Sequence, residues 1–264
     1  MSVDPARSRR WALGVEYDGT HFCGWQQQPG LHTVEGELID AVAGVADHAV
    51  ALACGGRTDA GVHGRGQVVS CDIPDDTDLD ELVRSVNGMC KPNISVRSAE
   101  WVADDFDARF SATWRHYRYV VLNTPTPDPM LVDRAWHVWQ PLSVPLMNLA
   151  CDALMGEQDF TSFCRKPDPM PGQPPAGMKR YVMSAKWTDN GDGTIVFDIR
   201  ANAFCHQMVR SITGFLVEVG LRRRPPSDTR FVILSKDRSL APHLAPPQGL
   251  TLWEVGYDGT RIHP

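Results

Sequence analysis

The stretch GGRTDAGVHGRGQVV, residues 55–69, places Arg57 and Asp59 two positions apart among five glycines. An ordinary aspartate carboxylate is ionised at neutral pH, and an arginine carries a fixed positive charge. A carboxylate in such a loop can act as a nucleophile, a general base, a metal ligand or a cap for a turn. Because glycine costs backbone entropy, so many in one loop indicate unusual dihedral angles or close approach by another group.

The residues around Asp59 do not form a known phosphate-binding or metal-binding pattern. The glycine spacing fits neither GxxxxGK[ST] nor GxGxxG, and the next carboxylate along the chain is Asp72. Seven cysteines and nine histidines are scattered without CxxC or HExxH spacing, so we expect reduced thiols and no metal. Composition and spacing alone therefore predict a functional loop but leave its chemistry open, with a turn cap as the simplest alternative.

The composition is that of a globular protein with one large domain or two ordinary ones. The chain has 264 residues, of which 42% are hydrophobic and 22% charged. No apolar run approaches the roughly 20 residues needed to cross a bilayer, and the N-terminal residues lack the pattern of a signal peptide. We therefore expect a cytoplasmic protein without a membrane partner.

The net charge of −6 argues mildly against a nucleic-acid-binding protein, because such proteins usually carry a basic surplus. The basic residues nevertheless cluster, at Arg7, Arg9 and Arg10, at Arg109, Arg115 and Arg118, at Arg165 and Lys166, and at Arg222, Arg223 and Arg224. For any one cluster, a run of solvated surface charges is a simpler explanation than an RNA-binding site. Together the clusters allow a basic groove with the acidic surplus elsewhere.

The glycine loop lies between two apolar runs, 49–54 and 66–72, which predicts a β-hairpin. The other elements predicted for the first hundred residues are a strand at 11–18, a helix at 33–46 with Thr33 as its N-cap, a helix at 78–89 and a strand at 94–101. A hairpin within this order favours an α+β fold over a doubly wound parallel sheet.

The second half of the chain has a similar organisation. It predicts a strand at 111–123, a helix at 145–155, an irregular loop at 164–178, two strands flanking an NGDG turn, helices at 204–220 and 228–235, and a closing strand at 250–258. We expect two similar halves, 8–106 and 107–260, that form a central mixed, mostly antiparallel sheet flanked by helices.

The glycine loop resembles the signature of the pseudouridine synthases of the tRNA pseudouridine synthase A family. Further blocks resemble that family in order: YDGTHFCGWQQQ with TVEGEL, FDARFSATWRHYRY, GEQDFTSF, ANAFCHQMVR and PPQGLTLWEV. The resemblance covers nearly the whole chain. It implies the pseudouridine synthase fold, with an active-site cleft between the halves and no cofactor.

The implied reaction isomerises uridine to pseudouridine in the anticodon stem-loop of tRNA, at nucleotides 38–40. The N1–C1′ bond breaks, the uracil turns and C5 joins C1′, after the base has been flipped out of the RNA. By this resemblance Asp59 is the nucleophile, and the enzyme is a homodimer whose two subunits contact each tRNA. A catalytically silent tRNA-binding module is the alternative; a nucleotide hydrolase would need metal ligands that the spacing does not provide.

The resemblance also assigns roles to four other residues. Arg57 would contact RNA and displace the flipped nucleotide. Tyr117 would stack on the uracil and transfer a proton. The alternative is a core tyrosine on the sheet face, and that description fits Tyr119 equally well. Arg210 would pair with the catalytic carboxylate and keep it charged, and Leu250 would pack against the base. The structural alternative for Arg210 is an exposed arginine on a helix, and the alternative for Leu250 is an ordinary core leucine.

The basic residues expected to contact RNA phosphates are Arg109, Arg115, Arg165 and Lys166. We also expect the glycines to let ribose and phosphate approach the loop backbone. The chain departs from the family pattern at Gln207, where a histidine is common, and at residues 177–180, where Gly-Met-Lys-Arg stands in place of an Arg-Thr-x-Arg element. Both departures concern RNA contacts rather than the proposed catalytic residues.

Overall fold

The computed structural model describes residues 8–46, 50–166 and 177–257. These residues fall into two compact units: the first runs up to Ala112 and includes Leu252–Tyr257, and the second comprises Thr113–Thr251. The division predicted from the sequence, 8–106 and 107–260, stays a prediction. Among the described helices, none is both long and apolar enough to cross a membrane.

The first unit contains two helices and most of one half of the sheet. Its elements are β1 (Ser8–Tyr17), α1 (Val34–Ala46), β2 (Ala53–Cys54), β3 (His63–Pro74), α2 (Leu79–Cys90) and β4 (Ile94–Trp101). The strands lie in the order β4-β1-β3, with β2 also paired to β3, and all of these pairs are antiparallel. The buried side chains of β1 and of both helices form its core, with Trp11, Leu38 and Leu82 fully enclosed.

Both predicted helices of this unit are confirmed, together with the cap of the first. The Gly36 amide donates to Thr33 Oγ1 over 3.3 Å, so α1 begins where its N-cap predicts. The carboxylate of Asp78 accepts from the amides of Asp80 and Glu81 at the start of α2. These caps satisfy amides that have no partner within the helix.

The predicted hairpin around the glycine loop is confirmed by the pairing of Ala53 with Ser70 and of Cys54 with Val69. Its first strand is much shorter than the expected 49–54, of which residue 49 lies outside the described residues. Its second strand begins early, at His63. An apolar run shows burial but not which partner the backbone pairs with, and this is why the strand length was wrong.

The second unit contains the remaining helices and strands. Its elements are β5 (Trp114–Leu122), β6 (Trp136–His137), α3 (Val144–Cys151), β7 (Gly156–Asp159), β8 (Lys179–Asp189), β9 (Thr194–Ala201), α4 (Met208–Gly220) and α5 (Asp228–Ser235). The strands lie in the order β5-β9-β8-β7 with antiparallel pairing, and β6 pairs with β5 in parallel. The closing strand β10 (Leu250–Gly256) begins in this unit and ends in the first.

The ten described strands form a mixed, mostly antiparallel sheet flanked by helices, which confirms the predicted α+β class. The β8–β9 hairpin is also confirmed, with Gly191 and Gly193 at φ values of +77° and +89° in its turn. Helix α5 agrees with the predicted bounds. Most of the predicted irregular loop at 164–178 lies outside the described residues.

Helix α4 differs from its prediction in length and burial. It begins at Met208 rather than at 204, because Gln207 has a left-handed backbone with φ of +63°. Nearly all of its surface is buried, not one stripe alone. A Cβ on Gly214 would overlap the carbonyl oxygen of His243, so a chain segment crosses the helix closely at this glycine.

Candidate active site

The backbone around Asp59 is held on both sides by hydrogen bonds. The Trp25 amide donates to the Thr58 carbonyl over 3.0 Å, and the Val62 amide donates to the Asp59 carbonyl over 3.1 Å. The Gly61 amide donates to the Phe22 carbonyl over 3.3 Å. The backbone that carries Asp59 is therefore fixed by main-chain hydrogen bonds on both sides.

A buried glutamine fixes the start of the loop. Gln67 is fully enclosed; its Nε2 donates to the Gly56 carbonyl over 2.6 Å, and its Oε1 accepts from the Gly56 amide over 3.1 Å. This two-bond clamp joins β3 to the residue before Arg57. The Tyr17 hydroxyl and Thr58 Oγ1, which are 2.8 Å apart, connect β1 to the residue before Asp59.

A buried histidine supports the far side of the loop. Nδ1 of His63 lies 3.0 Å from the Gly19 amide and 3.2 Å from Oδ1 of Asp18. No role for His63 or Gln67 was predicted from the sequence. The sequence indicated only that both residues lie within the stretch 55–69. A single polar residue on a strand does not reveal which group it will bond.

The glycines are explained by the protein's own packing. Gly61 has φ of +77°, a conformation that glycine adopts without strain. Added Cβ atoms would overlap the Tyr17 ring at Gly64 and the Trp253 carbonyl at Gly66, and would lie 2.9 Å from Val255 at Gly55. The expectation that these glycines make room for ribose and phosphate was therefore wrong for these positions, because protein atoms already fill that space.

Asp59 is half-buried, and Arg57 is exposed. Burial raises the pKa of the nearby Cys54 thiol to about 12, and the charge of Glu35 acts in the same direction. Arg57 and Arg109 both act to lower that pKa, so both guanidinium groups lie near the start of the loop. A thiol with this pKa is protonated at neutral pH, so Cys54 does not supply a thiolate beside the loop.

Tyr257 connects the segment that carries Arg109 to the glycine loop. Its hydroxyl donates to the Ala108 carbonyl over 2.7 Å, and a Cβ on Gly55 would lie 3.1 Å from the same hydroxyl. The Arg109 guanidinium lies 5.2 Å from the centre of the Phe110 ring, and 68% of Phe110 is exposed. The segment that carries Arg109 therefore packs beside the start of the glycine loop.

The second unit carries the two tyrosines of β5. Tyr117 is buried at 7% exposure and packs edge-on against Phe204, with ring centres 5.0 Å apart. Tyr119 is fully buried, and its hydroxyl donates to the Pro246 carbonyl over 2.8 Å. Burial raises the pKa of Tyr119 well above its ordinary value. Tyr119 is thus a core tyrosine, whereas the catalytic role of Tyr117 stays a prediction.

Arg210 lies in the first turn of α4 and is half-buried. Its Nε donates to the Ala245 carbonyl over 2.8 Å, and its own carbonyl accepts from the Ala245 amide over 3.1 Å. The side chain is therefore anchored, unlike an arginine in solvent. Its expected pairing with Asp59 stays a prediction. Leu250, 5% exposed, is the first residue of β10.

The remaining predicted RNA contacts have different surroundings. The Arg115 guanidinium donates to the Asn202 carbonyl over 3.0 Å, so it helps to connect two segments of the protein. Arg165 and Lys166 are exposed and, with Lys236 and others, line an open pocket of about 510 Å³. Among the described residues, no three His, Cys, Asp or Glu side chains converge as a metal site would require.

Comparisons with known proteins identify the family. The family model described as tRNA pseudouridine synthase matches residues 150–258. A tRNA pseudouridine synthase A of Aliivibrio fischeri (strain MJ11) is 42% identical over 252 residues, which are 94% of this chain and 92% of that protein. Its counterpart in Gluconobacter oxydans (strain 621H) is 38% identical over 266 residues, covering 97% of this chain and 92% of that protein.

Among solved structures, a Cbf5-Nop10-Gar1 complex aligns with 78% of this chain and 45% of that chain, at 13% identity and a TM-score of 0.33. A likeness at this level supports no inference about either fold or function. The sequence identity to the curated relatives, over nearly the full length of both partners, is decisive instead. The chain belongs to the tRNA pseudouridine synthase A family.

Proposed function

We propose that this protein isomerises uridine to pseudouridine in the anticodon stem-loop of tRNA, with Asp59 as the nucleophile. As a member of its family the chain is a tRNA pseudouridine synthase, an isomerase that acts on tRNA. The observation that carries the finer proposal is the loop itself: a half-buried carboxylate on a backbone fixed by main-chain bonds, two residues from an exposed arginine.

The geometry of the loop suits a reaction in which one carboxylate must meet one nucleoside carbon. Catalysis by a positioned group depends on holding it close to its attacking geometry. The bonds to Trp25, Phe22 and Val62 hold the backbone of Asp59, and the clamp from Gln67 holds the residue before Arg57. Attack at C1′, attack at C6 and passage through a glycal all require this one carboxylate and no redox cofactor.

Arg57 and Arg109 are suited to handle the RNA around the reacting nucleotide. Both are exposed, and both place positive charge near the start of the loop. Flipping a base costs a few kcal/mol of unstacking, which an arginine can offset by entering the vacated position. We assign that role to Arg57, and phosphate contact to Arg109, Arg165 and Lys166. Arg115 is assigned to the same set, although its bond to Asn202 also gives it a structural role.

Three residues of the second unit are proposed to serve the same reaction. Tyr117 supplies a ring for stacking and a hydroxyl for proton transfer, since the hydroxyl of neighbouring Tyr119 is already bonded to Pro246. Arg210 supplies a charge held in a defined orientation by Ala245. Leu250 supplies an apolar contact for the base at the start of β10. We further propose a cytoplasmic homodimer in which both subunits contact one tRNA.

Release of tritium from tRNA labelled at C5 of uridine tests the reaction directly, because C5 loses its hydrogen when it joins C1′. We expect release by the wild type and none above background by Asp59→Ala, with tRNA binding retained by the variant. Unchanged release by Asp59→Ala would overturn the role of this carboxylate. Binding without release by the wild type would instead favour a silent tRNA-binding module.

A further inference from the structure

Three consecutive arginines follow helix α4 and line a second basic pocket of the second unit. Arg222, Arg223 and Arg224 line an open pocket of about 620 Å³, together with Ser143, Leu146 and three prolines. None of the roles assigned above uses this pocket. Its chemistry is that of an anion site, because three guanidinium groups can each donate several hydrogen bonds.

The backbone at Arg222 is unusual for an arginine. Its φ is +61°, in the left-handed region. The Arg222 amide donates to the Val219 carbonyl over 2.9 Å, and the Arg223 amide donates to the Glu218 carbonyl over 3.0 Å. This pair of bonds is the Schellman motif, which most often has glycine at the left-handed position. An arginine there is disfavoured by backbone sterics, so its side chain calls for a separate explanation.

The three guanidinium groups have different partners. Nη1 of Arg223 lies 2.9 Å from Oε1 of Glu218, and the Arg224 guanidinium lies 5.2 Å from the centre of the Phe215 ring. Arg222 is exposed, and within the described ranges its side chain has no hydrogen bond or ion pair. The residue in the disfavoured backbone conformation is therefore the one whose charge is available to a ligand.

We propose that this pocket binds a backbone phosphate of tRNA through Arg222, with Arg224 adding positive potential, while the charge of Arg223 is offset by Glu218. This proposal rests on the proposed function, which supplies the polyanion. Arg222 follows Arg210 by 12 residues, which corresponds to roughly 18 Å along a helix. Arg210 lies in the first turn of α4 and Arg222 just past its last turn, so a phosphate bound at Arg222 meets a different end of this helix from any group bound at Arg210.

The competing explanation is that Arg222 stabilises α4, since a cation near a helix C-terminus interacts favourably with the helix dipole. The two explanations predict opposite effects on stability for Arg222→Gly. If the charge of Arg222 stabilises α4 through the helix dipole, the variant unfolds at a lower temperature. If the charge instead binds RNA, the variant loses no stabilising contact. Glycine adopts the left-handed conformation without strain, and we therefore expect the Tm to rise by about 2 °C.

The test measures tRNA affinity at several salt concentrations together with the Tm. We expect Arg222→Gly to weaken tRNA binding about fivefold and to make the slope of log affinity against log salt shallower by about 1. Arg222→Lys, which keeps the charge, should remain within about twofold of the wild type. The control is Arg84→Gln, which removes an exposed charge from α2 in the first unit and should leave the affinity unchanged.

Two results would overturn the proposal. One is unchanged affinity and salt slope for Arg222→Gly; the other is an equal loss for Arg84→Gln, which would indicate general charge attraction rather than a site. Because binding is measured without turnover, these results are distinct from a failure of the proposed function, in which the wild type binds tRNA but releases no tritium.

Discussion

Tyr117 and Tyr119 lie two positions apart on β5, so their side chains point to the same side of the sheet. Their surroundings nevertheless differ. The hydroxyl of Tyr119 is bonded to the Pro246 carbonyl in the protein interior, and burial raises its pKa. Tyr119 is therefore a poor candidate for contact with uracil, and Tyr117 stays the residue proposed for that role.

We predict that Tyr117→Phe lowers the rate of tritium release about 100-fold, because the ring remains while the proton-transferring hydroxyl is lost. The matched control, Tyr119→Phe, removes a hydroxyl on the same strand. It should keep the wild-type rate and lower the free energy of unfolding by about 1 kcal/mol, the value of one hydrogen bond. Similar rate losses in the two variants would contradict the assignment.

Asp198 on β9 is the cross-strand partner of Arg118 on β5. His116 Nε2 and Arg118 Nε lie 2.8 and 2.9 Å from its Oδ1. Burial acts to raise the pKa of Asp198, but the hydrogen bonds from His116 and Arg118 outweigh it and hold the pKa below its ordinary value. The charged carboxylate therefore stabilises the folded second unit at neutral pH.

A group whose pKa is depressed in the folded state contributes stability above its unfolded pKa, here about 3.9, and loses it as the pH falls through the folded value. We predict that Asp198→Asn lowers the free energy of unfolding at pH 7 by about 1 kcal/mol. The difference from the wild type should shrink as the pH falls below about 4. Urea unfolding at pH 7 and pH 3 measures both values, and an equal difference at the two pH values would contradict stabilisation by the ion pair.

At the scale of elements, the glycine loop depends on close packing between its glycines and neighbouring strands. Gly66 on β3 lies where a Cβ would overlap the Trp253 carbonyl of β10, and backbone atoms cannot move aside as a side chain can. Gly44 on α1 is its opposite, since a Cβ there would meet no atom within 4 Å. The two positions allow the same substitution to be compared in different surroundings.

We predict that Gly66→Ala lowers the free energy of unfolding by about 1–3 kcal/mol through overpacking. Gly44→Ala should raise it by about 0.5–1 kcal/mol, because alanine favours a helix interior. Thermal or urea unfolding of the two variants measures both effects. A neutral result at Gly66 would show that the β3–β10 packing tolerates a methyl group, and close packing would then not explain this glycine.

The sequence predicted most elements because their signals are local. The helices at 34–46, 79–90 and 228–235 have periodic apolar faces or defined first residues, and the β8–β9 hairpin has its turn glycines. The clamp of Gln67 on Gly56 and the contact of Tyr257 with Ala108 could not be predicted, because they join residues from different segments of the chain. Asp59, Tyr117 and Arg210 were proposed from family resemblance, since residue types alone favoured a turn cap for Asp59 and allowed a core tyrosine and an exposed arginine at the other two positions.

For the molecule as a whole, the net charge of −6 opposes RNA binding, while exposed arginines cluster in local sites. Arg57 belongs to the glycine loop and Arg109 lies near its start, while Arg165 and Lys166 line one pocket of the second unit. Long-range repulsion is weak in physiological salt, whose Debye length is about 8 Å, so local contacts with phosphates can outweigh it.

We predict that tRNA affinity falls at least about tenfold between roughly 50 and 200 mM salt, because each phosphate contact releases condensed counterions. Filter binding or fluorescence titration over this range measures the slope. Affinity that does not change with salt would contradict an interface built on arginine–phosphate contacts. The same titration with Asp59→Asn should give a similar slope, since Asp59 is assigned to chemistry rather than to attraction.

We propose above that the enzyme isomerises uridines in the anticodon arm through Asp59. The most direct test of this proposal is chemical mapping of pseudouridine at single-nucleotide resolution in an unmodified tRNA transcript, after incubation with excess wild-type enzyme or Asp59→Asn. We predict pseudouridine in the anticodon stem-loop with the wild type and none with Asp59→Asn, which should still bind the transcript. Pseudouridine formed by Asp59→Asn, or formed by the wild type only outside the anticodon arm, would contradict this claim.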